Sequence, residues 1–424
     1  MDEDKNFKSN FIWNILGTGL NAFNSLFFMI CVTRINKTTN AGIFTLAFST
    51  ACILNVIGTY AGRVYQVTDR GKKLTDNDYI FNRIISCITM MIIAFAFVII
   101  RKYDVYKSSI FILLAFYKCI EAFSDVIYGI FQKNEMLNLV GKSYFFKSLV
   151  SIIVFVIVDY ITKQMMFSCI AIIIVWLLFL FFYDIRNAKK YVNFRKKINW
   201  NNVNSIFKNG FFMFAISFFS IYISNAQKYA IDNFLTEDIQ AIFGIIIMPA
   251  TVMALFGQFL MHPYLTAITK LCDNGKIKEL NKLIFKIVLS LLGLGTIATL
   301  LAYFAGVPVL QLLYGIDLKG YKLSLAIIII AATLYNVGII YSSVLTTIRK
   351  TFIQFIIYLT VSIISLITAN LMTKANGIYG AVGSYFTSMT IFFILYILID
   401  QIEMKKLEKS SCVPSERNDN KNEK

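Results

Sequence analysis

Apolar runs of roughly twenty residues recur along almost the whole chain, separated by short polar stretches. Twelve can be drawn, at about 11–33, 41–62, 81–100, 108–131, 144–161, 165–183, 206–231, 239–262, 283–305, 323–346, 352–372 and 378–400. At about 1.5 Å per residue, such a run spans the ~30 Å hydrocarbon core of a bilayer as a helix. The pattern therefore predicts an all-α integral membrane protein with about 12 transmembrane helices.

The fourth run departs from the rest. Between Tyr117 and Gln132 it reads YKCIEAFSDVIYGIFQ, with Lys118, Glu121 and Asp125 set among apolar residues. Spacings of three and four residues put all three on one helical face. Charge at that depth is costly unless it is paired, hydrated or put to use. A bundle around a polar interior meets that requirement, whereas a lone helix facing lipid does not. One carboxylate would pair with Lys118, leaving the other to take a proton, bind a cation or meet Arg63 at the end of the second run. A structural ion pair between helices is the competing reading.

The first run carries Asn14, Thr18, Asn21 and Ser25, one stripe down a helix, with Asn24 beside it. In a membrane that stripe must face other helices or a cavity. An offset of 199 residues carries Thr18, Asn21 and Ser25 onto Ser217, Ser220 and Ser224 of the seventh run. The same offset carries Ala41–Phe44 onto Gln240–Phe243 and Phe81–Ile84 onto Leu280–Leu283. An ungapped register over that distance predicts two homologous halves. The expected division is a six-helix lobe with a basic linker at 1–200, a second six-helix lobe at 201–402 and a disordered tail at 403–424. Six crossings per half give both halves the same orientation, as in parallel repeats that place a substrate cavity between them and alternate its access. Lys228 extends the serine stripe of the seventh run, adding positive charge to the cavity or reaching to the outer interface. Pro249 is expected to kink the eighth run, and Gly58 and Gly62 in its repeat partner to allow a bend or close packing.

Composition changes the picture only through charge. With 57% hydrophobic residues and 15% charged residues, the chain is no ordinary soluble domain. Its net charge of +17 suits nucleic acid in principle, but the placement argues for topology. On the twelve-helix reading, 29 of the 41 Lys and Arg fall on one side, nine on the other, and Arg63, Lys118 and Lys228 lie within or at the rim of helices. By the positive-inside rule both termini face the cytoplasm of a multi-pass cell-membrane protein, and the basic loops meet anionic lipid. The longest loop, about 184–205, is the basic joint between the halves.

Enzymatic chemistry finds little support. The seven cysteines share no metal-ligand spacing and read as packing residues, and no metal or organic cofactor is expected. Gly141-Lys142-Ser143 lacks the earlier glycine of a Walker A loop, Met136 standing there. The single histidine, His262, has no carboxylate partner in sequence. A membrane polymerase or acyltransferase would need a reactive constellation, and every loop assigned to the outside is short.

The segments NFIWN (Asn10 to Asn14), AGIFT (Ala41 to Thr45), GRVYQVTD (Gly62 to Asp69) and EAFSDVIYGIFQ (Glu121 to Gln132) resemble those of bacterial polysaccharide-unit flippases. These are the Wzx-type members of the multidrug/oligosaccharidyl-lipid/polysaccharide (MOP) exporter superfamily. The likeness runs to about residue 402. It implies two six-helix lobes around a central cavity and transfer of an undecaprenyl-pyrophosphate-linked oligosaccharide between leaflets. A pyrophosphate in hydrocarbon needs fixed cations, for which Arg63, Lys118 and Lys228 are the candidates. The sugars need hydrogen-bonding side chains, which Asn14, Asn21, Asn24, Ser217, Ser220 and Ser224 would supply. Glu121 and Asp125 are the candidates for H⁺ or Na⁺ coupling. Expected partners are the lipid-linked substrate, membrane lipids, and a polymerase and glycosyltransferases, with the chain itself a monomer that binds no nucleic acid. The alternative within the superfamily is a cation-coupled multidrug or small-molecule exporter.

Overall fold

The first helix, α1 (Asp2–Thr59), contains two of the expected runs and breaks at Lys37, whose φ of 72° is non-helical. Beyond the break the chain reverses: Thr45 Oγ1 lies 3.3 Å from Met29 Sδ, whereas 16 residues of straight helix would separate them by roughly 24 Å. A tight turn through Tyr60, Ala61 and Gly62, all at positive φ, leads into the short α2 (Gly62–Thr68). The computed structural model describes residues 2–68, 74–194 and 198–411.

Thr75 starts α3 (Asp76–Arg101) through a capping box with Asp78, and Lys102 ends it in the left-handed region. Asp104 caps α4 (Val105–Lys133) by accepting the Lys107 backbone N–H at 2.9 Å. Next comes α5 (Leu137–Thr162), which Lys163 ends in the same left-handed conformation. After α6 (Met165–Phe179), a π-helical stretch at Leu180–Ile185 runs into α7 (Arg186–Ala188). The seventh run, expected as one helix over 206–231, is instead α8 (Trp200–Ile223) and α9 (Ala226–Phe234), parted at Ser224 and Asn225. Pro249 sits inside α10 (Glu237–Met261), and α11 (Leu265–Asp273) follows. A second π-helical stretch, Ala302–Gly306, joins α12 (Ile277–Leu301) to α13 (Val307–Tyr314). The last two helices are α14 (Lys322–Thr347) and α15 (Thr351–Ser411), and α15 reverses at Asn376 and Gly377. Across that break the rings of Tyr358 and Phe392 stack with centroids 5.1 Å apart.

Among the described residues there are no strands, and nine helices are long and apolar enough to cross a membrane. A count of twelve rests on reading α1 and α15 as hairpins and adding α4, 29 residues long, whose charges keep it outside an apolar criterion. The chain is a multi-pass all-α membrane protein.

Packing divides the chain into one compact unit of Met1–Ile245 with Val309–Leu318 and another of Ile246–Pro308 with Lys319–Lys424. The first unit thus takes in α8, α9 and the start of α10 along with the helices before the basic linker. Its α1 and α5 approach closely, because a Cβ on Gly17 would come within 2.1 Å of the Gly141 carbonyl oxygen. Gly141 of the rejected phosphate-loop triad is therefore a contact glycine. Thr45 and Gly244, equivalent at the 199-residue offset, also touch: a Cβ on Gly244 would lie 2.5 Å from Thr45 Oγ1.

Two expectations change at the ends of elements. The tail was expected to be disordered from 403, but α15 continues to Ser411 because Glu403 is buried and pairs with Lys350 at 2.9 Å and Lys406 at 2.6 Å. Gly58 is a packing position, since a Cβ there would meet Met90 and Ala122, whereas Gly62 is a turn position at φ 69°.

Candidate functional site

The face of α4 that carries the three charges is ordered by ion pairs. Lys118 Nζ bonds Glu121 Oε2 at 2.6 Å, one turn away on the same helix. The ammonium also stands 5.0 Å from the Phe48 ring centroid. One turn further, Asp125 meets two arginines: Arg83 Nη2 at 3.2 Å and Arg63 Nε at 3.8 Å. Arg83 Nη1 also donates to the Ala122 carbonyl at 2.8 Å. Arg83 is buried and Arg63 part-exposed, their side chains at 4% and 28% exposure. Lys118, Glu121 and Asp125 lie on successive turns of one face of α4, so the two groups form one charged wall.

Lys228 of α9 turns inward and donates to Ser49 Oγ at 2.6 Å and Asn225 Oδ1 at 3.0 Å. Snorkelling to the outer interface is therefore not its arrangement. Cys52, one turn beyond Ser49, is in electrostatic reach of Lys118, Glu121 and Lys228. Among the described residues, no carboxylate lies within ion-pair distance of Lys228.

Other charges were read as loop residues and are buried instead. Arg83, counted with the basic flank of the 63–80 loop, lies within α3. Lys147, counted in the following loop, is fully buried and pairs with Asp184 at 2.5 Å. It also donates to Ser124 Oγ at 2.9 Å and to Tyr128 OH at 3.0 Å. Asp184 takes a second bond, 2.6 Å, from Ser143 Oγ. Arg63, Lys118 and Lys228 are therefore not the only basic side chains within helices. Each pairing joins residues distant in sequence, and only the carboxylate next to the cation in space betrays it. Lys107, expected in an outer loop, is also buried. It binds Asp232 at 2.6 Å and Glu237 at 3.0 Å, and Asp232 also accepts from Arg101 and Tyr103. This cluster borders a small cleft lined further by Gly42, Thr236 and Gln240.

The expected sugar-binding positions divide. Asn24 is buried, its amide spent on Ser148 Oγ at 3.1 Å and Asn21 Oδ1 at 3.3 Å, so it packs α1 on α5 and lines no open surface. Asn14 and Asn21 are part-exposed. Ser217 is exposed and Ser220 and Ser224 part-exposed; Ser217 and Ser224 bond carbonyls one turn back on their own helix. The side chain of His262 lies outside the described residues, as does Cys412; the other six cysteines are free. Among the described residues, no group of three His, Cys, Asp or Glu could hold a metal ion.

No protein-family model matches the chain. It is 26% identical over 318 residues to the capsular polysaccharide biosynthesis protein CapF of Staphylococcus aureus, covering 73% of this chain and 77% of that one. In fold it matches the lipid II flippase MurJ in an inward closed conformation, with a TM-score of 0.69 at 14% identity over 94% of this chain and 90% of that one. An inward-facing multidrug-resistance MATE transporter of the MOP superfamily matches with a TM-score of 0.65 at 14% identity, covering 94% and 99%. In fold the chain is therefore like a MATE transporter and a lipid II flippase, and in sequence it resembles a capsular polysaccharide biosynthesis protein.

Proposed function

We propose that this protein is a flippase that carries undecaprenyl-pyrophosphate-linked oligosaccharide repeat units across the cytoplasmic membrane by alternating access, for surface polysaccharide assembly. The observation that carries the reading is a surplus of fixed positive charge. Two guanidiniums share the one carboxylate of Asp125, and Lys228 rests on a hydroxyl and an amide with no carboxylate. A surplus cation inside a membrane protein costs several kcal/mol unless an anion arrives to meet it. A lipid-linked pyrophosphate is such an anion, and its polyprenyl tail can stay in lipid while the charge is shielded. Arg63, Lys118 and Lys228 are then the pyrophosphate ligands. Asn14, Asn21, Ser217, Ser220 and Ser224 offer hydrogen bonds to the sugars.

In this reading Glu121 and Asp125 act through the cations they hold, and a bound proton or sodium ion would release those cations to the substrate. An exporter of organic cations calls for the opposite sign of surplus. Likeness to a capsular polysaccharide biosynthesis protein and to the fold of a lipid II flippase supports the same substrate class. On this reading both termini face the cytoplasm, as the distribution of Lys and Arg implies.

The test is deletion of the gene followed by analysis of lipid-linked intermediates. Surface polymer should disappear while a polyprenyl-pyrophosphate-linked repeat unit accumulates on the cytoplasmic leaflet. Normal polymer, or loss of polymer without that intermediate, would reject the proposal.

A further inference from the structure

We infer that Arg83 is a positioning residue that frees Arg63 for an anion by neutralising Asp125 from beneath. The inference rests on the reading that Arg63 meets the pyrophosphate. Asp125 lies between the two guanidiniums, and they are not equivalent. Arg83, at 4% side-chain exposure, makes the shorter contact of 3.2 Å and is anchored a second time on the Ala122 carbonyl of α4. Arg63, at 28%, stands 3.8 Å from the other carboxylate oxygen, and each guanidinium keeps one buried nitrogen without a partner, Arg63 Nη1 and Arg83 Nε. A guanidinium has five N–H donors in a rigid fork, so the more open arginine, on the longer contact to Asp125, keeps exposed donors for another acceptor.

The backbone holds Arg63 in that role. It follows Tyr60 and Ala61, non-glycine residues at φ 32° and 42°, and Gly62 at φ 69°. Tyr60 is held by a 2.8 Å bond to the Phe207 carbonyl and by stacking on Phe214. Conformations this sparsely populated persist only where the surroundings enforce them, and here they place Arg63 at the second position of α2. If Arg83 were absent, Asp125 would draw Arg63 into an ordinary ion pair and the local charge would fall from one positive to zero. Substrate selection would then change with no contact to the substrate being altered directly.

The charge balance is tested with full-length protein in detergent and farnesyl pyrophosphate as the probe, measured by calorimetry beside thermal stability. Arg63→Gln should weaken binding at least tenfold. Arg83→Gln should weaken it about tenfold, and Asp125→Asn should tighten it by a similar factor, each being the loss or gain of one neighbouring charge. The Arg83→Gln/Asp125→Asn double variant should bind like the wild type. If Arg83→Gln does not fold, Asp125→Asn alone decides, because a merely structural acid would not oppose binding. Unchanged binding in Arg63→Gln would overturn the pyrophosphate reading itself. Loss of binding in Arg63→Gln, with Asp125→Asn no tighter than wild type or a folded Arg83→Gln unaffected, would overturn the role of Arg83 alone.

Discussion

Asp184→Asn should be among the most damaging neutral substitutions in the protein, because of what it strands. Lys147 is fully buried, and three groups satisfy its ammonium: Asp184 at 2.5 Å, Ser124 Oγ at 2.9 Å and Tyr128 OH at 3.0 Å. Removing the carboxylate's charge leaves a buried cation with two neutral acceptors and the Trp176 ring, 4.8 Å away. Breaking one partner of a buried pair costs about 3–5 kcal/mol. Replacing both partners by apolar residues of similar volume, as in Lys147→Met/Asp184→Leu, should cost about 1 kcal/mol or less, since the desolvation of both charges is recovered. At roughly 2–4 °C per kcal/mol, the single variant should lose about 6–20 °C of thermal stability and the double far less. The assay is loss of the monodisperse chromatographic peak after heating in detergent, run as a double-mutant cycle with both single variants. A single variant within about 2 °C of wild type, or a double variant whose loss equals the sum of the singles, would refute the reasoning that the pair is held as a unit.

The Asp232 cluster ties Arg101, Tyr103 and Lys107 to the α9–α10 connection. Asp232→Asn should speed hydrogen exchange at the amides of 232–240 about tenfold or more, and unchanged exchange would show that the cluster holds nothing in place. Ending the chain after Ile402 removes Glu403 from Lys350 and should cost about 1–3 kcal/mol. The same heating assay checks it, with a chain ending after Ser411 as the comparison. Gly17→Val should block insertion or folding, because even a Cβ would sit 2.1 Å from the Gly141 carbonyl oxygen; normal membrane yield would contradict that packing.

Hydropathy alone located the long helices, since a membrane helix must be apolar for most of its length and only its ends are free to vary. The exceptions have local causes. The seventh run turns polar at Ser224, Asn225, Gln227 and Lys228, but these positions continue the serine stripe and so read as cavity lining rather than as the break between α8 and α9. Lys118 and Glu121 were legible because their partnership is intrahelical and spacing reports it directly. Arg83, Lys147 and Lys107 were not, because each lies within about a turn of the end of an apolar run, where a basic residue ordinarily reaches water. Only tertiary partners, Asp125, Asp184 and Asp232, distinguish them from loop charges. Asn24 misled for the converse reason: polarity on a membrane helix serves packing as readily as a cavity, and Ser148 was not visible beside it.

The two compact units differ in their buried charge, and that asymmetry bears on how transport would work. Deep in the first unit, Lys118, Glu121, Asp125, Arg83, Lys147 and Asp184 are paired within α3 to α5 and the π-helical stretch after α6. In the second unit the buried polar side chains are mostly neutral, among them Thr333, Asn336, Ser342, Gln354 and Ser362. The buried acids described there, Asp400 and Glu403, lie within a few residues of each other near the end of α15. A substrate with one strongly charged group and a long neutral oligosaccharide has the same asymmetry. If the charged wall holds the pyrophosphate, the second unit can change its own conformation by exchanging hydrogen bonds of about 1 kcal/mol each, without pulling a buried charge out of its pair. Introducing a carboxylate at Asn336 should therefore slow the transport cycle more than it weakens binding of a short polyprenyl pyrophosphate. An Asn336→Asp variant that lost binding and turnover in equal proportion would place the charged group of the substrate on the second unit instead.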